Sequence, residues 1–304
     1  MQALQTLSRS LTQKSQHFTA ASTRFSSSSS VITVENLPNN ITHVQLNRPD
    51  KHNALSMSVF RDLTKIASEL KTDTSIRAII LSGSGKSFCS GLDIKSVMKE
   101  PRNFATLLDK PSYTAQSNLA QEVGYLWRTL PCPVICAIHG LCFGGGLQIA
   151  LGADFRYATE TSKFSIMETK WGLIPDMGIS VTLRELMSID KAKELTFTGR
   201  IIDAPEALKC NLITEIVPNP FAKALELANE IVTKSPDAIA ASKILYNETW
   251  ANGSNDKKSL DLETTLQRKL VGSINQGIAS GKNFGVSFVP FKNRQDFDED
   301  VEKF

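Results

Sequence analysis

The chain has 304 residues, 41% of them hydrophobic and 21% charged, with a formal net charge of +3. This length suits one large domain or two small ones around a substantial core. That net charge is too small to argue for nucleic acid as a partner, and no apolar run is long enough to span a membrane.

Residues 1–30 differ from the rest of the chain. Arg9, Lys14 and Arg24 are their only charges, Leu4, Leu7 and Leu11 recur at helical spacing, and Ser26–Ser30 is an unbroken serine run. An Arg- and Ser-containing amphipathic segment without acids reads as a mitochondrial transit peptide, which places the mature chain in the matrix. A core over 31–235 and a helical region over 236–304 are expected after it.

Val31–Glu35 and Ile41–Leu46 read as two strands joined by Pro38-Asn39-Asn40. A polar loop with Lys51, Asn53 and Ala54 comes next. Ser56 is a candidate cap for a helix with Val59, Leu63, Ile66 and Leu70 on one face. Ala78–Ser82 is a short buried strand. Behind it come a glycine- and serine-bearing loop ending in Ser90-Gly91-Leu92 and a helix start at Asp93-Ile94.

The apolar run 133–138 leads to Gly140-Leu141-Cys142-Phe143-Gly144-Gly145-Gly146 and a helix-compatible segment from Leu147-Gln148. Three consecutive glycines permit a ligand to approach the main chain. A helix N-terminus there leaves N–H groups unpaired for an anion or a developing oxyanion. A tight packing turn has the same pattern. The spacing matches neither a dinucleotide fingerprint nor a P-loop. His139 reads as structural. The five cysteines, Cys89, Cys132, Cys136, Cys142 and Cys210, contain no CxxC pair and read as free buried thiols, with no zinc spacing.

Strand-like pieces at 153–158 and 163–166 continue the alternation of strands and helices, which points to an α/β class of repeated units. Beyond about residue 183 helices are expected at 183–197, 204–210, 220–235, 236–250 and 259–280, with strand-like pieces at 198–202 and 213–217. Asp203 is a candidate cap and Pro205 stands in a first helical turn.

Two features carry chemistry. Strand, glycine loop and helix start occur twice, at 78–95 and 133–151, so the N–H groups of Leu92 and Gly145 could meet at one carbonyl oxygen. One such donor contributes about 3–4 kcal/mol to a transition state. Glu168 and Asp176 lie eight residues apart around an apolar turn with Gly172 and Pro175. Burial raises a carboxyl pKa, and two such groups can divide proton removal from proton delivery. A solvated loop would look the same from these two residues alone.

Several separate stretches in order resemble the crotonase family, the enoyl-CoA hydratases and isomerases. They are Leu46–Leu55, Phe88–Lys95, His139–Gly146, Glu168–Gly178, and Gly199-Arg200 with Ala204, Glu206 and Ala207 after it. The resemblance spans about residues 31–295. It implies an α/β spiral of repeated ββα units with a helical C-terminal region that builds a homotrimer or homohexamer. It also implies an acyl-CoA thioester substrate whose carbonyl lies between Leu92 and Gly145. Coenzyme A arrives as part of that substrate, and no metal, other cofactor or nucleic-acid partner is expected. Ser90, Gly91, Asp93, Ile94, Lys51, Asn53 and Ala54 would lie along the substrate. Lys292 and Arg294 resemble a basic segment near the nucleotide phosphates. Met98, Leu107 and Trp171 are candidate walls for the acyl chain.

Departures from the hydratase pattern direct the choice of reaction. Hydratases carry Glu where this chain has Gln148, and an amide neither gives nor takes a proton at neutral pH. They have glycine at the position of Asp176. The dienoyl-CoA isomerases have both Glu168 and Asp176 but usually Asp at position 148. The pair therefore implies 3,5-dienoyl to 2,4-dienoyl isomerisation in fatty acid β-oxidation, with Gln148 at the substrate. The alternatives are an enoyl-CoA hydratase, a 3,2-enoyl-CoA isomerase using Glu168 alone, and a non-catalytic RNA-binding or scaffold member.

Overall fold

A computed structural model of the protein describes residues 31–100, 102–250, 256–283 and 289–297. The expected leader lies outside the described residues. β1 (Ile32–Leu37) and β2 (Ile41–Leu46) form an antiparallel hairpin whose turn uses Asn39 and Asn40 at φ 64° and 58°. Asparagine tolerates that left-handed region better than most residues. β3 (Ala78–Gly83), β4 (Val134–Ile138), β6 (Phe155–Ala158) and β9 (Glu215–Ile216) add in parallel, giving the order β1-β2-β3-β4-β6-β9. In a second sheet β5 (Leu141–Phe143) runs parallel to β7 (Lys163–Ser165), which pairs antiparallel with β8 (Ile202–Asp203).

Five helices accompany the first strands: α1 (Met57–Thr72), α2 (Ile94–Val97), α3 (Arg102–Leu108), α4 (Leu119–Thr129) and α5 (Gly145–Leu151). After them come α6 (Ile179–Thr182), α7 (Ile189–Thr198), α8 (Ala204–Lys209), α9 (Pro220–Ile231), α10 (Pro236–Thr249), α11 (Asp256–Leu270) and α12 (Ile274–Asn283). β3 is apolar from Ala78 through Leu81 because both faces are covered. Ile79 and Leu81 join Leu63, Val123 and Trp127 beneath α1 and α4, while Ala78 and Ile80 meet Ala224 and Ala228 of α9.

The repeat has a simple local cause. After β2, β3 and β4 the chain makes a short extended piece, which pairs sideways, and then a helix. Leu55 bridges Leu92, and Cys89 bridges Cys142. The Leu55 N–H donates to Gly91 O at 2.8 Å and the Asp93 N–H to Leu55 O at 3.0 Å. The Cys89 N–H donates to Leu141 O at 2.9 Å and the Phe143 N–H to Cys89 O at 3.0 Å. Three loops are thus laid edge to edge and deliver α1, α2 and α5. This is the repeated ββα architecture that the resemblance implied.

Several boundaries differ from expectation. The strand entering the glycine turn is β5, because Gly140 at φ 59° redirects the chain after β4; a Cβ there would stand 2.1 Å from Lys86 O. The expected helix 183–197 is a 3₁₀ turn, Leu183–Glu185, and then α7, whose N-cap is Ser188. The long C-terminal helix is divided into α11 and α12 near Gly272, which takes φ 78°. Helices α3 and α4 were not foreseen. Yet α4 carries a complete capping box, Asn118 with Gln121, and buries Ala120, Val123 and Trp127 at helical spacing.

In the C-terminal region, α10 is fastened to the core by Lys243. Its Nζ donates to Asp154 Oδ2 at 2.8 Å and to the carbonyls of Cys132 and Trp127 at 3.0 and 3.3 Å. Ala240, Ala241, Leu262, Leu266 and Phe297 form a separate small core between α10 and α11.

Candidate active site

The two glycine turns come together. A Cβ on Gly91, which takes φ 91°, would lie 3.0 Å from Phe143 O and 3.7 Å from Gly145 N. The bridge to Leu55 consumes the N–H groups of Leu55 and Asp93, on either side of it. Gly145 is the first residue of α5 and has no intrahelical acceptor. Neither the Leu92 nor the Gly145 N–H has a backbone acceptor among the described residues. Both residues line one cavity of about 500 Å³.

Apolar side chains dominate that cavity, among them Phe60, Leu107, Ala120, Trp171 and Ile174. Ser90, Gly91 and Ile94 border it beside Leu92, and Glu168 and Asp176 supply its acids. Glu168 opens the 3₁₀ turn Glu168–Trp171, which Gly172 closes at φ 70°. Gly144 makes room for the carboxylate, since a Cβ there would lie 3.3 Å from Glu168 Oε1. Oε1 accepts a 2.7 Å hydrogen bond from Gln148 Nε2. Oε2 is shielded from solvent and has no hydrogen-bond partner among the described residues.

Burial pushes the Glu168 carboxyl above its ordinary pKa, and the neighbouring Asp176 charge pushes the same way; backbone N–H groups and the Gln148 amide oppose them. Asp176 is also raised by burial. The cavity therefore offers two main-chain donors for an oxygen and two carboxyls with strengthened hold on protons.

Other sequence-derived residues occupy different places. Gln148 is 1% exposed and does not line the cavity. Its Oε1 accepts the Met177 N–H at 2.8 Å while its Nε2 serves Glu168, so the amide faces protein on both sides. Asn53 is 1% exposed and spans the loops: its Nδ2 donates to Ser84 O and Ser87 O at 2.9 and 2.7 Å, and its Oδ1 accepts Arg48 N–H at 2.7 Å. Asp93 caps α2 and pairs with Arg48 at 3.0 Å. Lys51 is exposed and Ala54 half-buried in the same loop, outside the cavity lining. Ala54 O accepts from Arg48 Nη1. None of these four lines the cavity.

The assignment of Arg294 is corrected. It is buried beside Ile76, Arg77 and Cys132, and its Nη2 donates to Lys71 O at 2.8 Å, so it cannot serve as a free cation at the cavity. Lys292 is exposed on the same segment. Of the candidate walls, Leu107 and Trp171 line the cavity, whereas Met98 is 62% exposed outside it. His139 is tied to Gly85 O at 2.9 Å. The Cys89 thiol lies under the glycine turns, donates to Asn53 O at 3.1 Å and is pushed up to about 12 by burial. Among the described residues no cluster of three or more His, Cys, Asp or Glu is placed to hold a metal ion.

Sequence reasoning missed Phe60, Phe104, Ala120 and Met177 as lining residues. Phe60 falls in an expected helix but off the face named for it, and Ala120 lies on α4, a helix that was not foreseen.

The enoyl-CoA hydratase/isomerase family model matches residues 36–281. The chain is 32% identical over 254 residues to the mitochondrial Delta(3,5)-Delta(2,4)-dienoyl-CoA isomerase of Mus musculus, covering 79% of this chain and 75% of that one. It is 34% identical over 236 residues to the enoyl-CoA hydratase EchA19 of Mycobacterium tuberculosis, covering 77% and 87%. An enoyl-CoA hydratase structure from Bacillus anthracis superposes with a TM-score of 0.75 at 26% identity, covering 86% of this chain and 98% of the other. With a match over most of its length and this site at its centre, the chain belongs to the enoyl-CoA hydratase/isomerase family, the crotonases.

Proposed function

We propose that the protein is an acyl-CoA isomerase that converts a 3,5-dienoyl thioester to its 2,4-dienoyl isomer. One observation carries this reading: two partly buried carboxyls, Glu168 and Asp176, share an apolar cavity, while the side chain at 148 is a neutral amide spent on protein contacts. The thioester oxygen accepts the N–H groups of Leu92 and Gly145. Asp176, ionised, takes a proton from C2; the electron pair moves into the chain and the oxygen, giving a dienolate. Glu168, protonated, delivers its proton to the distal carbon, and the double bonds settle nearer the thioester. The pair then exchanges its protons to reset. Burial and the nearby Asp176 charge both favour the protonated form of Glu168, which suits its part as the proton donor.

A hydratase or 3,2-enoyl-CoA isomerase is the second reading, favoured by the hydratase names among relatives of similar identity. Against hydration stands the lack of a second carboxylate on α5 to share a water with Glu168. An ultraviolet assay of the purified protein with 3,5-dienoyl, 3-enoyl and 2-enoyl thioesters separates them. The isomerase reading expects the largest kcat/KM with the 3,5-dienoyl substrate. Dominant hydration of the 2-enoyl thioester would replace it with the hydratase reading.

The leader's composition and the mitochondrial relative support import into the mitochondrial matrix, with cleavage of the leader somewhere within residues 24–30, to be read by N-terminal sequencing of the mature protein. Exposed Ile189, Phe197 and Ile201 support a homotrimer or homohexamer, to be read from solution mass by light scattering.

A further inference from the structure

We propose that Gln148 is a positioning residue: it ties the two acid–base loops to one helix and fixes which oxygen of Glu168 carries the mobile proton. The proposal rests on Glu168 and Asp176 being the proton carriers. Gln148 is the fourth residue of α5, and it has nearly no exposed surface. Its two polar ends point to different segments. Nε2 donates to Glu168 Oε1 at 2.7 Å, and Oε1 accepts the N–H of Met177, the residue after Asp176, at 2.8 Å.

An amide donates through nitrogen and accepts through oxygen, and both functions are used. A carboxylate at this position could keep only the acceptor half unless it were itself protonated. An apolar side chain could keep neither. The Nε2 bond engages Glu168 Oε1 as an acceptor whether the carboxyl is ionised or neutral. The titrating proton is then left to Oε2, the oxygen with no partner among the described residues. Because the bond favours the ionised form, it also restrains the upward drift of Glu168 caused by burial and by Asp176. The Oε1 bond fixes the backbone beside Asp176, where Gly124 packs so closely that a Cβ would meet Met177 O at 2.2 Å.

Two variants separate the two bonds. Gln148→Glu keeps the shape and the acceptor for Met177 but removes the donor to Glu168 when ionised; Gln148→Met removes both. Two readouts are used: hydrogen exchange of the Met177 amide, which needs no substrate, and the pH profile of turnover with whichever thioester the wild-type enzyme uses best. Expected for Gln148→Met is Met177 exchange about tenfold faster or more, as loss of one buried bond implies, and a basic limb moved to higher pH. Expected for Gln148→Glu is Met177 exchange close to wild type with the same upward move of the limb.

Unchanged Met177 exchange in Gln148→Met overturns the tie to the Asp176 loop, whatever the enzyme turns over. An unmoved limb in both variants overturns the hold on Glu168. If Gln148→Met does not fold, Gln148→Glu still decides: faster Met177 exchange, or an unmoved limb, sinks the proposal. Failure of the dienoyl reading is visible separately, in the wild-type substrate comparison.

Discussion

Two parts of the cavity wall are made of different material. One is main chain: the N–H groups of Leu92 and Gly145, set by edge-to-edge loops and by glycines that leave no room for a Cβ. The other is side chain: Glu168 and Asp176, on a turn and a loop whose neighbours Trp171, Leu173 and Ile174 are exposed. Under the proposed function, the first part grips a group common to every thioester, and the second touches what differs between thioesters and does the proton chemistry. The main-chain part is therefore demanding about packing and indifferent to acyl structure, and the side-chain part is the reverse.

The most severe way to test that division is Asp176→Asn. Turnover should fall about 10³-fold, as expected for loss of a general base, while calorimetric binding of a saturated acyl-CoA stays within about threefold. Equal loss of both would mean that Asp176 belongs to the binding part. Glu168→Gln comes next, with turnover down about 10²-fold.

Its stability should move in the opposite direction. Glu168 is raised in the folded chain, so native protein retains a proton that the unfolded chain has already released. The stability from that retained proton is full below the unfolded carboxylate range and is lost as pH rises through the raised folded value. Glu168→Gln abolishes this loss. Its unfolding temperature should gain on that of wild type as pH rises from ~4 to ~8. A variant less stable than wild type at neutral pH would show that the ionised carboxylate is well accommodated.

On the main-chain part, Gly146→Ala should lower stability by about 2 kcal/mol and turnover by about tenfold through overpacking. The added methyl would stand 2.5 Å from Cys89 Cβ and 2.8 Å from Cys89 O, so the two turns must separate. Thermal unfolding and rates with short and long thioesters should fall together; a loss confined to long chains would contradict the comparison. The smallest effect is expected for Trp171→Ala: a change of about threefold in kcat/KM, consistent with partial loss of one apolar contact, larger for long acyl chains than for short ones.

The main-chain part was also the legible one. Glycines between strand and helix announce close approach, because few other roles demand them at successive positions. The carboxyls were visible as residue types, and the family resemblance supplied their partnership. Gln148 was legible as a departure, but not its task, since nothing in a linear string tells that an amide on α5 meets Met177, 29 residues later. Arg294 failed for a related reason: a cation in a short tail looks solvated until the carbonyl of Lys71, 223 residues away, is found to hold it. The family resemblance placed Asn53 along the substrate, yet loops laid edge to edge need a side chain that satisfies their carbonyls. The α3–α4 segment escaped because its capping box and apolar spacing were present but no motif drew attention to them.

The buried thiol beneath the turns has one more implication. Conjugated thioesters are Michael acceptors, and thiolates, far more than thiols, add to them. Under the proposed function the cavity handles such electrophiles; Cys89 packs against Gly146 behind the lining, and burial pushes its thiol up to about 12. On that reading the buried thiol is kept out of reach of alkylation by the substrates.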